Sequence, residues 1–154
     1  MADDAREIPG QYQLQLVWAQ LWVRQFPVPR PPGQPGGRWR FSPRQLPRGI
    51  ISAPAVAPEA LYVGDTNGHL YARDALMGDA LWQFKAGGAI MASPVIVGQR
   101  VYFGALDGVL YALDRAHGAL LWKLGLDAPI HASPVFGSGH LYVRTQDGRL
   151  HCIE

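Results

Sequence analysis

Residues 92–124 read ASPVIVGQRVYFGALDGVLYALDRAHGALLWKL, and this stretch decides the fold. Four short apolar runs alternate with turn residues: Ser93 to Val97, a turn at Gly98, Val101 to Gly104, a turn at Asp107-Gly108, Leu110 to Asp114, a turn at His117-Gly118, and Leu121 to Leu124. Runs of this length bounded by Gly and Asp are the pattern of short antiparallel strands. The series also stands upstream, as Ser52 to Ala57, Ala60 to Gly64, Leu70 to Asp74 and Leu81 to Phe84. Pro54, Pro94 and Pro134 are 40 residues apart, as are Tyr62, Tyr102 and Tyr142, then Gly68, Gly108 and Gly148, and finally Trp82 and Trp122. A β-rich unit of that length cannot bury both faces alone and must stack on copies of itself. Four strands per unit predict the blades of a propeller.

The sequence therefore predicts an all-β chain: a partial β-propeller of about three four-stranded antiparallel blades behind a Pro/Gly-rich N-terminal extension. The extension and linker take residues 1–49 and the repeats 50–154, divided as 50–88, 89–129 and an incomplete 130–154. Asn67-Gly68, Asp107-Gly108 and Asp147-Gly148 accept positive φ, which predicts a tight hairpin between the second and third strands of each unit. Pro27, Pro29, Pro31, Pro32 and Pro35 with Gly33, Gly36 and Gly37 exclude regular structure and mark a linker. Before it, Gln11 to Phe26 fits either an amphipathic helix or two short strands, and the strict alternation of Tyr12, Leu14, Leu16 and Trp18 favours strand. Trp39-Arg40-Phe41 is similar to Trp82-Gln83-Phe84 at a spacing of 43, which suits the outer strand of a preceding blade or a strap closing the last one. Because a closed ring needs at least four blades, the expected alternatives are a piece of a longer propeller, two chains completing a ring, or an open arc with exposed edges.

These residues resemble the pyrroloquinoline-quinone-like (PQQ-like) β-propeller repeats, whose tryptophan-docking motif runs Ala-x-Asp-x-x-Thr-Gly-x-x-x-Trp. Ala72, Asp74, Gly78 and Trp82 match it, as do Ala112, Asp114, Gly118 and Trp122, while Met77 and His117 stand at the Thr position. Ala92-Ser93-Pro94-Val95 and Ala132-Ser133-Pro134-Val135 match the innermost strand, and Ser52-Ala53-Pro54-Ala55 follows it more loosely. The resemblance implies that Trp82 and Trp122 pack between neighbouring blades and that the Asp braces its turn. A large flat ring with one N–H donor suits such a junction.

Enzymes of the resembled family hold the quinone and a calcium ion in a central funnel, with an acidic catalytic residue and, in several alcohol dehydrogenases, a ring formed by two adjacent cysteines. Cys152 is the sole cysteine, so there is no such pair and no intramolecular disulfide. Its alternating apolar surroundings predict a buried, inert thiol. Asp65, Asp107 and Asp147 lie in hairpin turns, where carboxylates ordinarily accept backbone hydrogen bonds. His69, His117, His131, His140 and His151 follow no metal-ligand spacing. His131 is the candidate channel-lining residue, because its equivalents Ile51 and Met91 fall at the edge of the innermost strand. No nucleophile elbow, P-loop or dinucleotide fingerprint is present.

Charge is uneven: residues 1–49 hold seven Arg against Asp3, Asp4 and Glu7, a net +4, while the repeats hold seven cations against nine acids, a net −2. An acidic repeat region argues against nucleic acid as partner. Leu14 to Val23 is too short to span a bilayer, and Met1 to Arg6 opens on acids instead of a basic signal region; as written the chain reads as cytoplasmic, but related repeats are often extracytoplasmic and the compartment is left unassigned. The expected function is a non-catalytic scaffold contacting a protein or peptide through blade-rim loops, with self-association as a route to a ring. No catalytic, cofactor or metal residue is assigned. The alternative is a fragment of a quinone-dependent dehydrogenase, with PQQ and calcium as its cofactors.

Overall fold

The computed structural model describes residues 39–41 and 49–154. Two compact units divide the chain, Met1–Phe41 and Ser42–Glu154. In the first, residues 39–41 belong to no strand. The expectations for Gln11 to Phe26 and for the Pro-rich linker fall outside the described residues.

Among the described residues the second unit holds eleven strands in three antiparallel sheets. The first sheet is β1 (Ala55–Val56), β2 (Ala60–Gly64), β3 (His69–Asp74) and β4 (Ala80–Lys85), paired in that order. The second is β5 (Val95–Val97), β6 (Arg100–Gly104), β7 (Val109–Asp114) and β8 (Leu120–Gly125). The third is β9 (Val135–Gly137), β10 (His140–Arg144) and β11 (Leu150–Ile153). Inner strand β1 approaches β5 and β5 approaches β9, so the sheets stand side by side as blades of a partial propeller.

Register explains the composition of the repeat. One cross-strand row runs Ala55, Tyr62, Ala72, Trp82 in the first sheet and Val95, Tyr102, Ala112, Trp122 in the second. The third sheet carries Val135, Tyr142 and Cys152 in the same row. A small residue at Ala72 lets the rings on either side meet over it, and Tyr62 and Trp82 lie 5.6 Å apart between centroids. Tyr102 and Trp122 repeat this over Ala112 at 5.7 Å. Past this row each outer strand bulges: Arg73 pairs with Ala80 and Leu113 with Leu120, leaving Leu81 and Leu121 unpaired and exposed.

The 2–3 hairpins form at the expected dipeptides, each as a three-residue loop. Asp65 N–H donates to His69 C=O at 2.9 Å and Gly68 N–H to Asp65 C=O at 3.2 Å, which closes a three-residue loop. Ala105, Gly108 and Val109 repeat it, as do Thr145, Gly148 and Arg149. Only the glycine turns left-handed, with φ of 85° at Gly68, 79° at Gly108 and 86° at Gly148. Asn67, Asp107 and Asp147 keep negative φ, because a type I turn followed by one left-handed residue suits the strand twist without them.

The core lies in the junctions between sheets. Tyr62, Leu70, Ile90, Phe103, Tyr111 and Leu113 form the main cluster across the first two sheets, and Leu110, Leu126, Ile130 and Val143 form the next. The returning linkers stitch the same seams: Ile90 N–H donates to Asp65 C=O at 2.9 Å while Leu106 N–H donates to Ala89 C=O at 2.9 Å. Ile130 and Ala105 pair likewise at 3.1 Å, with Gln146 N–H on Pro129 C=O at 2.8 Å. Serine adds a second stitch, since Ser93 Oγ accepts Ala53 N–H at 3.1 Å and Ser133 Oγ accepts Ser93 N–H at 2.9 Å. That explains the Ser of the Ala-Ser-Pro-Val strand, whose role the sequence alone did not reveal.

Candidate interaction surface

The motif residues sit on the third and fourth strands of the first two sheets and on the outer turns that join them. Asp74 Oδ1 accepts the amides of Leu76 and Met77 at 2.9 and 2.7 Å, and Gly78 closes the turn at φ 75°. In the second sheet Asp114 Oδ2 accepts His117 N–H at 2.9 Å and meets His117 Nδ1 at 2.8 Å. His117 thus supplies the side-chain partner that the family's Thr would give, and its hydrogen bond to the carboxyl, first among the causes, holds Asp114 below the usual carboxylate range. Trp82 is half-buried, and its Nε1–H donates to Arg115 C=O at 3.0 Å in the next sheet, a carbonyl that also accepts Tyr62 O–H at 3.3 Å. Glu59 meets the Arg115 guanidinium at 2.9 Å across the same seam. Trp122, also half-buried, packs into both clusters at the second junction.

Each hairpin holds an acid–hydroxyl node. Buried Asp65 accepts the amides of Asn67 and His69 on Oδ1, at 2.9 and 2.8 Å, and Tyr71 O–H on Oδ2 at 2.9 Å. Burial, reinforced by that hydrogen bond, drives the Tyr71 phenol well above its ordinary range. In the second sheet the acid moves two positions along: Asp107 Oδ2 accepts Tyr111 O–H at 2.5 Å, and Tyr111 Oη accepts Gly87 N–H at 3.1 Å. In the third, Thr145 O–H donates to Asp147 Oδ1 at 2.6 Å, with His151 Nε2 at 3.2 Å from the hydroxyl. Sequence spacing missed this node, because the acid and its partner change identity from blade to blade.

The five histidines do not converge. His69 lies 3.4 Å from Asp65, His117 sits on Asp114, His140 on Ser138 C=O at 2.7 Å, and His151 on Thr145. His131 is exposed and lines an open cleft of about 240 Å³ with Ala132, Arg144, Thr145 and Gln146. Among the described residues no three His, Cys, Asp or Glu side chains gather into a metal-binding group. The hairpin and turn acids are spread over three sheets and engaged with their own turns, so the described donors do not fit a calcium–quinone site. Cys152 is exposed, which corrects the expected buried thiol. Its equivalents Ala72 and Ala112 are buried beneath a fourth strand that pairs β3 and β7, whereas β11 pairs with β10 alone among the described residues.

Three antiparallel sheets seamed in this way define a propeller of PQQ-like repeats. The chain belongs to the family described as outer membrane protein assembly factor BamB, whose family model matches residues 16–151. Among solved structures it is similar to BamB from Moraxella catarrhalis, at 24% identity and a TM-score of 0.63 over 71% of this chain and 34% of that one. It is also similar to the quinohemoprotein alcohol dehydrogenase ADHIIG from Pseudomonas putida HK5, at 23% identity and a TM-score of 0.62 over 68% of this chain and 18% of that one. A europium-containing methanol dehydrogenase matches at 22% identity and a TM-score of 0.61, over 74% of this chain and 24% of that one. No curated protein matches. The chain spans about a third or less of the length of these structures. Among the described residues no helix is long and apolar enough to cross a membrane.

Proposed function

We propose that the chain is a non-catalytic binding module that contacts a protein or peptide through its blade-rim loops, as part of an assembly factor of the BamB kind. The observation carrying this reading is the rim itself. The β1–β2 and β3–β4 turns share one end of the first sheet, joined by Ala75 N–H on Glu59 C=O at 3.1 Å. On that end Val56, Leu76 and Met77 are 66, 58 and 49% exposed, although the seams between sheets are closed. Apolar side chains held out on rigid turns favour a macromolecular contact. Membership of the BamB family supports the same reading.

The second reading, a piece of a quinone-dependent dehydrogenase, is favoured by the likeness to the two dehydrogenase folds. Titration with PQQ and calcium separates the two. A ligand that binds only the native state at about 100 times its Kd adds roughly 2.7 kcal/mol of stability. The module reading expects an unchanged thermal midpoint and absorbance spectrum, and a clear rise in the midpoint overturns it.

A further inference from the structure

Asn67 is the only asparagine in the sequence, and glycine follows it. Such a pair is open to loss of the side-chain amide, because glycine puts no side chain in the way when its own nitrogen turns onto the carboxamide. Position 67 stays exposed whatever flanks the sheet, since its equivalent Asp107 is exposed with a sheet on either side.

The first hairpin arranges both partners of that reaction. Asn67 is exposed, and its carboxamide makes no hydrogen bond with any described residue. Lys85, in register with His69, donates from Nζ to Asn67 C=O, the carbonyl of the very peptide whose nitrogen belongs to Gly68. A cation there stabilises the negative charge that this peptide takes on when Gly68 N–H gives up its proton. That N–H is held by one hydrogen bond, to Asp65 C=O at 3.2 Å, at a loop tip of the kind that opens locally. The second sheet has neither feature: Gly125 stands in register where the first has Lys85, and Asp107 where it has Asn67.

We propose that Asn67 is a self-modification site, at which the Gly68 nitrogen attacks the Asn67 carboxamide carbon with Lys85 assisting. The Gly68 proton passes to solvent hydroxide, a C–N bond closes a succinimide ring, and the C–N bond to the side-chain amide breaks, releasing ammonia with a proton from water. Water then opens the ring at either carbonyl, leaving aspartate or isoaspartate at position 67. No electrons are gained or lost.

The product is a carboxylate in a hairpin whose donors are taken. In the second sheet Asp107 accepts Val109 N–H at 3.1 Å and Tyr111 O–H at 2.5 Å. In the first, the equivalent donors His69 N–H and Tyr71 O–H already lie on Asp65. Two carboxylates competing for one set of donors repel. Isoaspartate also lengthens the backbone ahead of Gly68, whose C=O accepts Ala86 N–H at 2.7 Å, next to Asp65 C=O, which accepts Ile90 N–H at 2.9 Å. Deamidation thus loosens the seam between the first two sheets.

The test incubates the full chain at mildly alkaline pH and follows the mass of tryptic fragment 49–73, which holds Asn67 and no glutamine. The folded chain should show the amide-to-acid gain, Lys85→Ala should slow it about fivefold or more, and Lys85→Arg should keep the original rate. In denaturant the three rates should be equal, because the fold places the cation. Lys85 is exposed, and thermal melts check that its variants fold. Asn67→Asp should lower the thermal midpoint of the original chain but raise it in an Asp65→Ala background, which copies Ala105 and Asp107. If Asp65→Ala alone does not fold, folding of the double variant counts as that rise. No gain in the folded chain while the denatured chain converts, indifference to Lys85→Ala, or a Lys85 effect that persists in denaturant would overturn the assisted reaction. A midpoint that moves the same way in both backgrounds, or a double variant that stays unfolded, would overturn the competition between acids.

Discussion

The indole of Trp82 lies directly on Gly118 of the next sheet: a Cβ at Gly118 would stand 2.5 Å from Cε3 and 2.6 Å from Cδ2. Gly118 is held twice over, because its φ of 72° is also left-handed. One residue thus ends the outer turn of its own sheet and floors the ring of its neighbour.

Replacing either member should cost stability by different routes. Trp82→Ala removes a half-buried ring and its hydrogen bond, about 3 kcal/mol. Gly118→Ala meets both the backbone and the ring, at about 2 kcal/mol or more. With the ring gone, the steric part of the Gly118 cost disappears, so the double variant should fall short of additivity by at least ~0.5 kcal/mol in denaturant unfolding. Strict additivity would mean that the ring does not rest there.

Gly104 makes a purely steric prediction. Its conformation is open to any residue, but Ile130 leaves no room for a methyl group. Gly104→Ala should cost about 1 to 3 kcal/mol, whereas Gly125→Ala, with nothing within 4 Å of the new Cβ, should cost far less. Chemical denaturation midpoints of the two variants decide it.

The serine stitches can be measured one at a time. Ser133→Ala leaves the Ser93 amide without its acceptor, and Ser93→Ala does the same to Ala53. Each should cost about 1 kcal/mol. Hydrogen exchange at the deprived amide, one blade away from the substitution, is the specific readout.

Tyr71 predicts alkaline sensitivity. Its phenol is pushed up in the folded chain by burial, then by the Asp65 hydrogen bond, so the stability it confers is whole below the unfolded value of about 10 and is lost as pH rises beyond it. Tyr71→Phe should be less stable at neutral pH, since Asp65 loses a donor, but its stability should fall less steeply above pH ~10.

Asp114 acts at the other end of the scale. His117 lowers its carboxyl, so that contribution is present above the unfolded carboxylate value and fades as pH falls through the folded one. His117→Met, which copies Met77 of the first sheet, should flatten the acid limb of the stability profile. An unchanged limb would show that the imidazole does not brace the turn.

Much of the fold was legible because its signals are local. Tyr62, Ala72 and Trp82 recur at one period, and the register joins them into a single cross-strand row. Hairpin glycines could be placed from sequence, yet the loop length could not, since Asp107-Gly108 suits both two- and three-residue turns until strand twist chooses. The hairpin nodes were hidden because a carboxylate at Asp65 in one sheet is replaced by one at Asp107, two positions on, in the next. His131 could be picked out as an oddity among Ile51 and Met91, but Arg144 could not, because nothing local tells what a side chain there would meet.

The sequence by itself determined the blades, their number among these residues, their strand order and the turns that separate them, since alternation and turn chemistry act over a few residues. Only the tertiary structure decided why Gly64 and Gly104 must lack side chains, what Ser93 and Ser133 accept, and where Cys152 lies. The glycine and serine answers depend on residues 26 to 40 positions away, brought into contact when one sheet packs on the next, and that of Cys152 on the strands paired beside it. In the chain those contacts show only as Gly, Ile and Ser recurring at the repeat period, which does not tell what each residue touches.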